Sequence, residues 1–235
     1  MTSDPPVPLF EARGIFKSFR AAGRDVPVLE DIHCKLPSRA VSLVTGRSGE
    51  GKSTLLSLLA GLDRPDSGEL IFHGELLPTS AMGRMADWRR NRVGVLFQHF
   101  NLLPSWTVLQ NIEAALIPGG MARGERLLRA HEWLGRVGLD HRHDHLPSQL
   151  SVGQQQLAAL ARVMAAGPEV ILADEPCGDV DPETGEAIQE HLLDFVRSGK
   201  GSLVVASHGT FPQELADCVF DLRSGALRPR AQTLA

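Results

Sequence analysis

The sequence predicts an α/β fold: a mostly parallel sheet flanked by helices, antiparallel strands near the N-terminus, and a helical subdomain set into the middle. Three observations carry that prediction. A short apolar run, Val41–Thr45, leads through glycine-rich sequence into a helical pattern over Lys52–Ala60, the strand-then-helix order of an α/β unit. Strand-like runs at Val170–Ala173 and Leu203–Ser207 bracket a helical pattern at Pro182–Val196, an order that implies parallel strands and right-handed crossovers. Between about Val108 and Ala166, strand-like runs give way to helical spacing. A single domain is expected over residues 9–227, with its helical subdomain at about 108–166 and flexible termini at 1–8 and 228–235.

Taken in order, Leu9–Phe19 and Val28–Leu36 are apolar-rich segments separated by AAGRDVP. They read as two strands of a hairpin-like unit. Gly61 closes the helix that starts at Lys52. DRPDSGE marks a turn before a short strand at Leu70–His73, and Val93–Phe97 is a further strand. The inserted helices fall at Val108–Leu116, Gly124–Val137 and Ser151–Ala165. Pro182 suits the first turn of its helix, where a missing N–H costs nothing. Val219–Leu222 is the last strand.

Bulk properties narrow the class. A chain of 235 residues can bury one large core. Hydrophobic residues at 43% and charged residues at 22% exclude a disordered chain. A formal charge of -4 supplies no positive field, so no nucleic-acid partner is expected. Cys34, Cys177 and Cys218 are scattered, forming neither a disulfide framework nor a metal spacing. They suit a reducing compartment. The opening MTSDPPVPLF lacks the apolar core of a secretory signal. No run reaches the ~18 apolar residues of a membrane span, so any membrane role is expected to run through a partner.

The segment GRSGEGKST, Gly46–Thr54, fits G-x-x-x-x-G-K-[ST], and it lies between a strand and a helix as that pattern requires. Its glycines allow backbone angles that side chains resist. The amides across Gly46, Arg47, Ser48, Gly49, Glu50 and Gly51 can then face phosphate oxygens. The helix start adds the positive end of its dipole. Lys52 is placed to reach the β- and γ-phosphates, Ser53 offers its hydroxyl to Mg2+, and Thr54 supports the α-phosphate. ATP with Mg2+ is the expected ligand pair. In VILADEP, Val170–Pro176, four apolar residues form a buried strand ending in two acids. That carboxyl edge is where open α/β sheets bind ligands. Asp174 would hold Mg2+, directly or through water. Glu175 would orient and deprotonate the attacking water.

Three further segments, around Gln98, Ser151 and His208, stand with these two in a fixed order, and the five together resemble the ATP-binding subunits of ABC transporters over about Leu9 to Leu227. The resemblance implies a P-loop NTPase core of the ABC type. It assigns Gln98, in VLFQHFNLLP, to sensing Mg2+ and the attacking water. LSVGQ at Leu150–Gln154 is similar to the signature motif, whose Ser151, Gly153 and Gln154 would meet ATP held by a second subunit. His208, in VVASHG, is similar to the switch histidine that contacts the γ-phosphate. Asp181, in GDVD, matches the loop that communicates between subunits. The family packs two subunits head to tail around two ATP molecules, and a second copy of this chain is the expected partner. Opening and closing of that pair drives separate transmembrane permease subunits, which implies a cytoplasmic protein peripheral to the membrane.

The family also stacks an aromatic ring, often tyrosine, on adenine near the end of the first strand. With no tyrosine in the chain, Phe19 is the candidate and Phe16 the second, although Phe19 equally fits a core position. FNLLPSWTVLQNI, SVGQQQLAALAR and GDVDPETGEAI resemble the lipoprotein-release and macrolide-export group, implying export or release of envelope lipoprotein or lipid. Three positions depart from the family. Val152 replaces the first of two adjacent signature glycines, Leu157 stands where arginine is common, and Cys177 replaces a small hydroxyl residue. A slow or partner-dependent ATPase, or a slow-turnover regulator, is the corresponding alternative. A soluble ATPase of DNA repair or translation would carry long coiled-coil insertions or a second cassette, and this chain shows neither. HRHDH, His141–His145, could bind a metal but reads more simply as a solvated loop. RMADWRRNR, Arg84–Arg92, reads as a coupling surface or solvated helix. Trp106 reads as socket for a membrane partner's helix or as packing.

Overall fold

The computed structural model describes residues 7–21 and 23–230. In chain order the elements are β1 (Phe10–Ala21), β2 (Arg24–Leu36), β3 (Val41–Thr45), α1 (Lys52–Leu59), β4 (Ser67–Phe72), β5 (Glu75–Leu76), α2 (Met82–Arg92), β6 (Val93–Leu96), α3 (Val108–Leu116), α4 (Arg123–Arg136), α5 (Val152–Ala166), β7 (Val170–Asp174), α6 (Pro182–Arg197), β8 (Ser202–Ser207), β9 (Cys218–Arg223) and β10 (Ala226–Pro229). They form two sheets. One is antiparallel, in the order β2-β1-β4-β5. The other runs β10-β9-β3-β8-β7-β6, parallel from β9 to β6, with β10 antiparallel at its edge.

The central strands are apolar on both faces because both faces are covered. Val44, Leu172, Val204 and Ala206 join one core with α1 and the antiparallel sheet. Their neighbours Leu43, Ile171, Ala173, Leu203 and Val205 join a second core with α5 and α6. Each buried valine, leucine or isoleucine among them contributes about 1.5–3 kcal/mol. A third core joins Val108 and Ile112 of α3, Leu134 of α4, and Ala158, Ala161 and Ala165 of α5. The opposite face of α5, through Ala159, Leu160 and Val163, packs on the parallel sheet's core. This one helix therefore ties the helical insert to the sheet.

Pairing moves several element ends beyond their expected limits. The AAGRDVP connection contracts, because Phe19 pairs Val26 and Ala21 pairs Arg24. Pro27 fits inside β2 because β2 is an edge strand, where a missing N–H is tolerated. Two short strands, β5 and β10, carry too few apolar residues to be seen as runs. Of the termini expected to be flexible, residues 1–6 and 231–235 lie outside the described residues. Arg228 and Pro229 instead continue β10, paired with Asp221 and Phe220 of β9.

Candidate active site

The phosphate loop leaves β3 at Thr45, whose hydroxyl donates to the Phe220 carbonyl at 3.1 Å. Gly46 is required by the neighbouring strand: a Cβ there would lie 2.5 Å from the Leu222 carbonyl oxygen. Gly51, at φ 98, is the N-cap of α1 and supplies no side-chain acceptor. The first amides of α1 therefore remain available to an anion. A Cβ on Gly51 would also come within 2.9 Å of Val28, so β2 braces the loop from outside. The Glu50 carboxylate accepts from Ser224 N at 2.5 Å.

Lys52 is buried, and its ammonium donates to the Gly46 and Arg47 carbonyls at 3.0 and 3.2 Å. It also lies 3.6 Å from Glu175 Oε1. Glu175 is buried at φ 47, in the left-handed region, an uncommon conformation for a non-glycine residue. His208 Nδ1 lies 2.7 Å from Glu175 Oε1. The other oxygen accepts from His208 N at 3.3 Å and from the Thr210 hydroxyl at 3.4 Å. Parallel strand order creates this cluster: β3, β8 and β7 are adjacent, so their carboxyl ends deliver Lys52, His208 and Glu175 to one place.

Asp174 sits beside them. Burial raises its pKa and the Glu175 charge adds to this, while a Ser53 hydrogen bond and the charges of Lys52 and His99 pull the other way. Its Oδ1 is buried with no hydrogen-bond partner among the described residues. A buried, partnerless carboxylate oxygen beside a serine hydroxyl is a donor set that fits a hard divalent cation. Gln98 lies in the turn just past β6, the strand next to β7, and is half-buried.

Ser151 and Gln154 form a reciprocal cap at the start of α5: Ser151 Oγ accepts from Gln154 N at 3.2 Å, and Gln154 Oε1 accepts from Ser151 N at 3.1 Å. A Cβ on Gly153 would meet Thr184 Oγ1 at 3.0 Å. Asp181 caps α6 by accepting from Thr184 N and Thr184 Oγ1 at 2.9 and 2.7 Å. Those two bonds lower its pKa. The starts of α5 and α6 thus pack together. Among the described residues, no hydrogen bond or ion pair joins Ser151–Gln154 to the chain's own phosphate loop. Val152 is 46% exposed.

Phe19 and Phe16 are both exposed, so neither is a core residue. The Lys17 ammonium lies 5.0 Å from the Phe19 ring centroid. A groove of about 510 Å3 runs beside the loop between Arg47, His208 and Arg223. A larger one, about 1050 Å3, lies between α4 and the far end of α6 and shares no residue with the site. HRHDH forms no simple solvated loop: the His145 and His143 carbonyls accept from Val108 N and Leu109 N, capping α3. Among the described residues, no group of three His, Cys, Asp or Glu side chains is arranged to hold a metal. Trp88, in α2, packs on Phe72 with ring centroids 5.2 Å apart.

The device that presents His208 is not foreseen from the motifs alone. Ser207 is buried, and its Oγ accepts from Gly209 N, Thr210 N and Phe211 N at 3.3, 3.1 and 3.2 Å. A serine closing a strand and followed three residues later by threonine was the available signal.

The model of the ABC transporter family matches residues 29–178. The lipoprotein-releasing system ATP-binding protein LolD 2 of Rhodopirellula baltica is 38% identical, over 100% of this chain and 94% of its own length. LolD of Idiomarina loihiensis is 36% identical, over 93% and 96%. The macrolide export ATP-binding/permease protein MacB of Shigella flexneri is 37% identical over 94% of this chain, but only 34% of MacB is covered. Among solved structures, the ATP-binding cassette MJ0796, a dimer in a post-hydrolysis state bound to ADP and Pi, superposes with a TM-score of 0.88. It is 31% identical, and the match covers 94% of this chain and 97% of that one.

Proposed function

Because the chain belongs to the ABC transporter family, as an ATP-binding subunit that hydrolyses ATP, we propose that Lys52, Asp174, Glu175 and His208 form half of its catalytic centre. Ser151 and Gly153 of a second copy complete it in a head-to-tail dimer. The observation that supports this most is the convergence of Lys52 and His208 on one oxygen of the buried Glu175 carboxylate.

ATP lies with its phosphates against the loop amides and the start of α1. Lys52 then exchanges the Gly46 and Arg47 carbonyls for β- and γ-phosphate oxygens, which releases its hold on Glu175. Glu175 accepts a proton from the water that attacks the γ-phosphorus, and the bond from that phosphorus to the ADP oxygen breaks. His208 moves from Glu175 toward the γ-phosphate. Ser53, Asp174 and Gln98 would hold Mg2+, which supplies charge neutralisation on the β- and γ-phosphates. Phe19 offers its exposed ring to adenine.

Among the described residues the signature start makes no hydrogen bond or ion pair with its own loop, which favours its serving a partner's ATP. Exposed Leu103 and Trp106 follow the Gln98 turn and offer an apolar footing for a transmembrane permease subunit. We assign the chain to the inner face of the membrane through that permease, energising lipoprotein or lipid release, or export, as the names of its relatives describe for them. No nucleic acid takes part. Glu175→Gln protein should dimerise on adding ATP and Mg2+, measured by size-exclusion chromatography with light scattering. A strictly monomeric variant at saturating ATP would refute the homodimer. Co-purification with a candidate permease, with ATPase stimulation, tests the membrane role.

A further inference from the structure

We propose that Arg162 is a positioning residue for hydrolysis: it locks the left-handed turn after Gln98 onto the helix that presents the signature serine. Its guanidinium donates from Nη1 to the Asn101 carbonyl at 2.6 Å and from Nη2 to the Phe100 carbonyl at 2.8 Å. Phe100 and Asn101 both stand at positive φ, 49 and 48. Two successive non-glycine residues in that region need an external restraint. A planar fork spanning two neighbouring carbonyls is such a restraint, and a single ammonium cannot reproduce it. Among the described residues no ion pair joins Arg162 to a carboxylate, and burial lowers its pKa. The desolvated charge is therefore offset by these main-chain oxygens.

The rest of α5 makes this a link between parts of the site. Ser151 caps its start, about 16 Å along the axis from Arg162. Between them the buried Gln156 donates to the Pro176 carbonyl at 3.0 Å, one residue beyond Glu175. One rigid helix thus touches the signature, the segment after the base, and the Gln98 turn. Among the described residues Arg162 makes no hydrogen bond to the phosphate loop, so its loss should spare ATP binding and slow the hydrolytic step. The inference rests on the role proposed for Gln98.

A double-mutant cycle on the full chain tests it, with Arg162→Ala, Gln98→Ala and the double variant. A fluorescent ATP analogue without Mg2+ reads binding, and single-turnover hydrolysis reads the rate. Each single change should slow hydrolysis at least tenfold and alter the binding Kd less than twofold. The double variant should be no more than twofold slower than Gln98→Ala alone. If the two losses multiply, Arg162 acts independently of Gln98 and the inference fails, while the Gln98 role stands. Wild-type hydrolysis by Arg162→Ala overturns it equally. Wild-type hydrolysis by Gln98→Ala removes the Gln98 role and the inference together. Should Arg162→Ala fail to fold, Arg162→Lys, which keeps the charge and loses the fork, takes its place in the same cycle.

Discussion

The isosteric change Asp174→Asn should stabilise the nucleotide-free protein while abolishing Mg2+-dependent turnover. Asp174 ionises above the usual aspartate range, chiefly because burial disfavours its charge. Its Oδ1 has no partner among the described residues. A buried polar atom left unpaired costs about 1–3 kcal/mol. The carboxamide keeps an oxygen for the Ser53 hydroxyl and leaves its nitrogen unpaired, but it removes the buried charge, so a gain of only about 1 kcal/mol is expected. For a chain of this size that raises Tm by about 2–4 °C. The sign with pH follows from the raised folded-state pKa. Between the ordinary aspartate pKa and the raised one, the folded state binds more protons than the unfolded, so wild-type stability falls as pH rises through that window. The gap between variant and wild type should be smallest in acid and fully open above the raised pKa. Scanning calorimetry in EDTA over a pH series measures it. A variant that melts below wild type at neutral pH, or a gap that does not widen with pH, refutes the reasoning.

Three further outcomes are expected. Val152→Gly should raise ATP turnover of the assembled dimer, because Val152 puts a stiff, half-exposed side chain at the signature; equal steady-state rates would show that valine imposes no brake. Gly46→Ala forces a methyl to within 2.5 Å of the Leu222 carbonyl oxygen, and such overpacking costs about 1–3 kcal/mol. ATP affinity should fall by about tenfold per 1.4 kcal/mol so lost, and an unchanged titration curve would contradict it. Asn111 is buried, accepts from Leu103 N at 2.7 Å, and donates to the Leu103, Trp106 and Thr107 carbonyls at 3.1, 3.1 and 3.0 Å. Asn111→Leu should cost about 2–4 kcal/mol in urea denaturation, and a loss below about 1 kcal/mol would mean that water replaces the amide.

Features that depend on adjacent residues were legible in the chain alone. A phosphate cradle is built from consecutive amides, so Gly46–Thr54 declares itself as a string, and so does Pro182 at the start of α6. The apolar runs of β3, β7 and β8 were visible because strands buried on both faces have no polar alternation. Partnerships across long separations were not. Nothing near Glu175 in sequence indicates that Lys52 and His208 meet at its carboxylate, or that its backbone turns left-handed. Arg162 and Asn111 looked like ordinary helical residues, since the carbonyls they hold lie on a loop whose path is set by packing. Strands β5 and β10 exist because a neighbour's unpaired edge accepts them, whatever their own composition. The phosphate loop, the acidic strand and the α/β order are therefore properties of the string of residues. The catalytic cluster and its supports belong to strand order and register, because free energy from burial and pairing, rather than local preference, brings those side chains together.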